Sequence, residues 1–211
     1  MANLITTLRF ALLFVLVASA YMAPPQWQLA NAPLMFLIIA LDGLDGYVAR
    51  RRGEVSAFGA IFDIAVDRVV ENVMWVVLAN LDLVPLWVAI VFITRGSLVD
   101  SIRYSAIKQG QTAFGMMRTS WGRFLVSGRF MRGFYGALKA VTFGWILLIQ
   151  PWPELDPASW SAWSGYVYFV SAFLIHASVI VCLARGIPVV LEFILSSDLF
   201  PATPRWTKRP G

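Results

Sequence analysis

The sequence predicts an all-α fold, a polytopic membrane protein with six transmembrane helices and both termini cytoplasmic. Three observations carry that prediction. Of 211 residues, 59% are hydrophobic and 14% charged, against roughly 45–50% and about 25% in soluble domains. Six apolar runs approach the roughly 20 residues that a hydrocarbon core of about 30 Å requires. Lys and Arg gather in alternate connections, which the positive-inside rule assigns to the cytoplasm.

The first run, residues 4–23, follows the polar start Asn3-Leu-Ile-Thr6-Thr-Leu-Arg9. A secretory leader has a similar charge-then-apolar pattern, but that polar start is a poor leader head and further spans follow, so we read a retained helix. The segment APPQWQLANAP turns the chain, with Trp27 at a membrane–water interface. The second run, 31–50, ends in Arg50, Arg51 and Arg52. A short return, RRGEVSAF, leads into the third run, 59–80, making the two antiparallel neighbours. NLDLVP separates the third from the fourth, 84–107. Residues 108–133 read as a long basic cytoplasmic loop with a short interfacial helix. The fifth run is 134–151 and the sixth 160–184, joined by QPWPELDPASW. Residues 1–185 thus form one six-helix transmembrane domain. Residues 186–211 form a cytoplasmic tail, amphipathic over 187–200 and mobile beyond.

The loops 24–30, 81–85 and 151–159 hold no Lys or Arg. The net charge of +5 therefore sits on the cytoplasmic face, where it suits anionic lipid headgroups. A nucleic-acid partner is excluded, because no soluble basic domain exists to present such a surface. The single Cys182 rules out an internal disulfide and reads as packing. The lone His176, in an apolar run, reads as an interhelical hydrogen-bonder.

Four aspartates interrupt this apolar background. Asp42 and Asp45 share a helix face near the end of the second run, and Gly59, Asp63 and Asp67 share one at the start of the third. Structural pairing with Arg50, Arg51, Arg52 and Arg68 would explain any one of them, but not four at this spacing. Four close carboxylates cannot all ionise without compensation. A pair of Mg²⁺ or Mn²⁺ ions supplies it, since hard cations take oxygen ligands and bind phosphates at the same time. Such a pair stabilises charge on both attacking and leaving oxygens in phosphoryl transfer. Gly46 and Gly59 either let a ligand approach the backbone or pack helices closely. A cation transporter is the alternative from another class, but it would set polar groups near the midplane. A membrane scaffold leaves the aspartates without a purpose.

The pattern Asp45, Gly46, Ala49, Arg50, Gly59, Asp63 and Asp67, with Asp42 three residues earlier, resembles the signature of the CDP-alcohol phosphotransferases. Asn3, Thr6 and Arg9 are similar to a second family pattern before the first span. The resemblance implies attack of a polar alcohol on CDP-diacylglycerol, with CMP leaving and a phosphodiester forming. It implies that Asp42, Asp45, Asp63 and Asp67 hold two metal ions, and that Asp67 takes the alcohol proton. Gly46, Ala49 and Gly59 would line the nucleotide and Arg50 would face a phosphate, with Asn3, Thr6 and Arg9 closing the nucleotide end. It further implies a bacterial inner-membrane enzyme with a cytoplasm-facing site, and a homodimer.

The acceptor is read from cations within the spans. Arg95 and Arg103 lie eight apart, hence roughly on one helix face; Lys139 opens the fifth span and Arg185 closes the sixth. These four are candidates for an acceptor phosphate, which Arg binds bidentately and Lys as a point charge. Pairing with Asp100, Glu71 or lipid headgroups is their other explanation. The pattern is similar to phosphatidylglycerophosphate synthases, which implies glycerol 3-phosphate. The segment FGAIFDIAVDR also resembles phosphatidylinositol-type synthases, so inositol or inositol phosphate stays the alternative acceptor.

Overall fold

A computed structural model describes residues 2–52, 57–108 and 122–196. Every regular element among them is helical. Six long helices are α1 (Ala2–Met22), α3 (Asn31–Arg52), α4 (Ala57–Asn80), α5 (Leu86–Lys108), α6 (Arg129–Ile149) and α8 (Pro157–Ser196). Two single turns, α2 (Pro25–Gln28) and α7 (Trp152–Leu155), and a π-helical turn, Arg123–Ser127, complete the order.

Four stretches among the described residues are long and apolar enough to cross a membrane: Asn3–Met22, Pro25–Leu44, Arg129–Leu155 and Pro157–Leu195. That is two fewer than the six spans expected. The difference lies in α4 and α5, which carry Asp63, Asp67, Arg68 and Glu71, and Arg95, Asp100 and Arg103. Such charges are tolerated at membrane depth only where they face the bundle interior and one another.

Two boundaries also differ from expectation. Helix α6 starts at Arg129 rather than 134, so the long basic loop loses its final part to the π turn and α6; residues 109–121 lie outside the described residues. Helix α8 does not end near 184. It runs 40 residues through Pro188, taking up 187–196 as a continuation rather than a separate surface helix. The tail beyond 196 lies outside the described residues.

The core forms where apolar faces of the six long helices meet. Trp75 of α4 stacks on Phe92 of α5, centroids 4.2 Å apart, and meets Phe143 of α6 edge-on at 4.7 Å. Leu13, Leu16, Met35, Ile38, Ile146, Leu147 and Cys182 are buried around them, so Cys182 packs as expected. A smaller cluster of Val99, Ile102, Val126 and Val189 seats the π turn between α5 and α8. Packing of α6 on α8 is reinforced by polar pairs, Thr142 Oγ1 with Ser178 Oγ at 3.0 Å and Trp145 Nε1 donating to Ser171 Oγ at 3.0 Å, a common form of helix adhesion in membranes. His176 does not join them. Exposed on α8, its Nδ1 lies 2.7 Å from the carbonyl of Ala172, one turn back on the same helix.

The turns at the end away from the aspartates are well specified. Helix α4 ends in a Schellman motif: Leu83 N–H reaches Leu78 O at 3.0 Å and Asp82 N–H reaches Ala79 O at 3.2 Å, with Asp82 left-handed at φ 57°. Asp156 caps α8, its Oδ1 accepting from Ser159 N–H at 3.1 Å. Hydrogen bonds from the Ser159 side chain and backbone hold this carboxyl below its usual range. Gln150 donates to Ala20 O and Tyr21 to Asn80 Oδ1, tying α6 to α1 and α1 to α4.

Candidate active site

Three helices build the acidic part of the site. Asp42 comes from α3, Asp63 and Asp67 from successive turns of α4, and Arg9 from α1. Arg9 is 2% exposed. Its Nη2 donates to Asp42 Oδ1 at 2.7 Å and Asp67 Oδ1 at 2.6 Å, and its Nη1 to Asp63 Oδ1 at 3.0 Å. The carboxylates of α3 and α4 converge as expected, and the first helix joins them there. Among the described residues α3 packs chiefly on α1 and α6, and α4 on α1 and α5. The first helix sits against both and carries a guanidinium to the point where their carboxylates meet.

One oxygen from each of Asp42, Asp63 and Asp67 lies within 4.8 Å of the others. Among the described residues, these three carboxylates against one guanidinium leave two negative charges if all ionise. The donors are all oxygen, and their side chains are 37–48% exposed. An oxygen-only, partly open, net-anionic set fits a hard divalent cation. Asp45, Gly46, Ala49 and Arg50 stand on the last turns of α3, but the side chains of 45–52 lie outside the described residues. Thr6 is buried one turn before Arg9, Gly59 lies one turn before Asp63, and Asn3 is exposed at the start of α1.

Helices α4, α5, α6 and α8 build the other part. Arg68 grips Asp100 through two bonds, Nε to Oδ2 at 2.6 Å and Nη2 to Oδ1 at 2.9 Å, and reaches Glu71 at 3.3 Å. Lys139 pairs with Glu71 at 2.8 Å, the pairing that the sequence offered as the alternative to phosphate capture. Arg185, 5% exposed, donates to the carbonyls of Leu125 at 2.7 Å and Val126 at 3.4 Å in the π turn. Tyr135, unsuspected from sequence, lies among these cations. Lys139 Nζ stands 4.4 Å from its ring centroid, and the Arg185 and Arg95 guanidinium carbons 5.4 and 5.8 Å, within reach of cation–π attraction. The Tyr135–Lys139 spacing of four residues was its only sequence signal.

Both parts border one cavity of about 730 Å³. Asp42, Asp67 and Arg9 line it, and so do Arg95, Arg103, Lys139 and Arg185. The structure thus brings the carboxylates and all four candidate acceptor cations to a single space. Within it, an anion with separated charged groups can meet a cation-binding acidic wall and a basic wall at once.

Comparison with known proteins agrees with this chemistry. Residues 1–184 match the family described as CDP-alcohol phosphatidyltransferase. The chain is similar to CDP-diacylglycerol–glycerol-3-phosphate 3-phosphatidyltransferases: 31% identical over 93 residues to that of Bacillus subtilis (strain 168), covering 44% of this chain and 48% of the relative, and 33% over 123 residues to that of Pseudomonas fluorescens, covering 56% and 62%. It is also similar to CDP-diacylglycerol–inositol 3-phosphatidyltransferase 1 of Arabidopsis thaliana, 33% over 79 residues, covering 37% and 33%. The chain thus spans about half to three fifths of the two bacterial relatives.

Proposed function

The chain belongs to the CDP-alcohol phosphatidyltransferase family, and from that premise we propose that it is an integral membrane phospholipid synthase. It transfers a phosphatidyl group from CDP-diacylglycerol to glycerol 3-phosphate and releases CMP. The observation that carries the reading is the shared cavity, acidic on one side and basic on the other. The bacterial relatives named for glycerol 3-phosphate support the acceptor.

Asp42, Asp63 and Asp67, with Asp45, would hold two Mg²⁺ or Mn²⁺ ions. When bound, these neutralise the pyrophosphate and stabilise departing CMP. Arg9 keeps three of the carboxylates gathered by one oxygen each, fixing their spacing before substrate arrives. Arg95, Arg103, Lys139 and Arg185 hold the acceptor phosphate and so orient its hydroxyl. Asp67 accepts the hydroxyl proton as the acceptor oxygen attacks the lipid-bearing phosphorus. A new P–O bond forms, the bond from that phosphorus to the bridging oxygen breaks, and CMP departs with the electron pair. A cytoplasmic-boundary site lets acyl chains stay in lipid while CDP and acceptor come from water.

The test is CMP release by purified protein with CDP-diacylglycerol, Mg²⁺ or Mn²⁺, and an acceptor panel of glycerol 3-phosphate, inositol, inositol phosphate, serine and choline. Glycerol 3-phosphate should give the highest kcat/KM, and chelator should stop release. Asp67→Asn should lower kcat by about 10²–10⁴-fold with the fold intact. Turnover only with inositol or its phosphate would favour the second acceptor, supported by the Arabidopsis relative. No turnover with any acceptor would remove the enzymatic reading.

A further inference from the structure

The cations around the cavity are not equivalent. Lys139 is held by Glu71. Arg185 is engaged with two backbone carbonyls. Arg95 has no carboxylate within ion-pair distance among the described residues, and its guanidinium lies beside the Tyr135 ring. It is the group best able to meet an incoming dianion without first giving up a protein partner.

Its placement depends on one residue of α8. The stem of Arg95 leaves α5 and crosses α8 at Gly186. A Cβ built on Gly186 would lie 2.6 Å from Arg95 Cγ, 2.8 Å from Nε and 3.3 Å from Cδ. By contrast Gly136, on the same cavity, has nothing within 4 Å of such an atom. Glycine weakens a helix interior relative to alanine, so helix formation does not account for Gly186. The crossing does.

We propose that Gly186 is a positioning residue for acceptor recognition: its missing side chain is the slot that lets Arg95 reach the acceptor phosphate. The proposal rests on the phosphorylated-acceptor reading above. A methyl at 186 displaces a side chain and leaves the backbone unobstructed, so its effect falls on the aim of Arg95.

The experiment is a double-mutant cycle with Gly186→Ala, Arg95→Ala and both together. Gly186→Ala should raise the KM for glycerol 3-phosphate about tenfold, the order expected for a weakened charged hydrogen bond, with kcat and the KM for CDP-diacylglycerol within about twofold. In the Arg95→Ala background, which lacks every side-chain atom that the new methyl would strike, it should add nothing. Inorganic phosphate gives a readout free of turnover. Its midpoint for raising thermal stability should weaken in the same proportion, again only when Arg95 is present. An unchanged KM and phosphate midpoint, an equal cost with and without Arg95, or no phosphate effect on the wild type overturns the proposal. If the wild type does not use glycerol 3-phosphate but its phosphate midpoint still depends on both residues non-additively, the acceptor reading fails and the positioning role stands. If Gly186→Ala does not fold, recovery of folding in the double variant supports the steric partnership, and failure of both overturns it.

Discussion

At the scale of single residues, Arg9 decides how the acidic cluster exists before any substrate is bound. It is buried, and one guanidinium holds an oxygen from each of three carboxylates. Removing one member of a buried pair costs about 3–5 kcal/mol, but partners this exposed are partly relieved by water, so Arg9→Met should destabilise by about 1–3 kcal/mol. Mg²⁺ should narrow that deficit by taking over neutralisation. Thermal midpoints of wild type and variant, with and without Mg²⁺, check this; equal deficits in both conditions would contradict it. The aspartates were legible in the sequence because three- and four-residue spacing puts helical side chains on one face. The place of Arg9 was not. Its partners lie 33, 54 and 58 positions away, and local spacing says nothing about which helix inserts between two others. Tyr135 was hidden for a similar reason: a tyrosine in an apolar run looks like core until the cations from α5 and α8 are brought beside it.

At the scale of elements, sequence located the turns well and the helix ends less well. The break at NLDLVP was evident from Asn, Asp and Pro. That it closes as a Schellman motif with an aspartate in the glycine position needed backbone angles. A Cβ in the left-handed region costs about 1–2 kcal/mol, less for Asp than for most residues. Asp82→Gly should therefore stabilise the protein by about 1 kcal/mol, read as a higher thermal midpoint with CMP release unchanged. The unbroken α8 escaped the sequence because Gly186 and Pro188 in succession look like a stop signal. Proline does remove the bond to the Ala184 carbonyl, yet packing of Val189 with Val99, Ile102 and Val126 carries the helix onward. The two highly charged helices, α4 and α5, were recognised from their apolar residues. Their charges, which interrupt the apolar runs, line the candidate site.

At the scale of the whole molecule, the helical class and the clustering of function at one end followed from composition and from the asymmetric placement of charge. Turns α2 and α7 pack together, so the loops expected outside the cytoplasm lie on one side of the bundle. Cys182 is fully buried, which makes the chain a quiet background for thiol labelling. We expect Trp27→Cys and Ala158→Cys to react with an impermeant maleimide added outside intact cells, while the wild type does not. Labelling of both only after permeabilisation would invert the proposed orientation.

The bundle resembles a sheaf bound near one rim. There, Gln150 and Tyr21 lash neighbouring helices by short neutral bonds, whereas around the opposite opening the ties are charged contacts that dissolved ions and anionic ligands can replace. Accommodation of bulkier or slimmer lipids should accordingly spread from the opening and fade toward the binding, much as the ribs of a fan part while the rivet stays still.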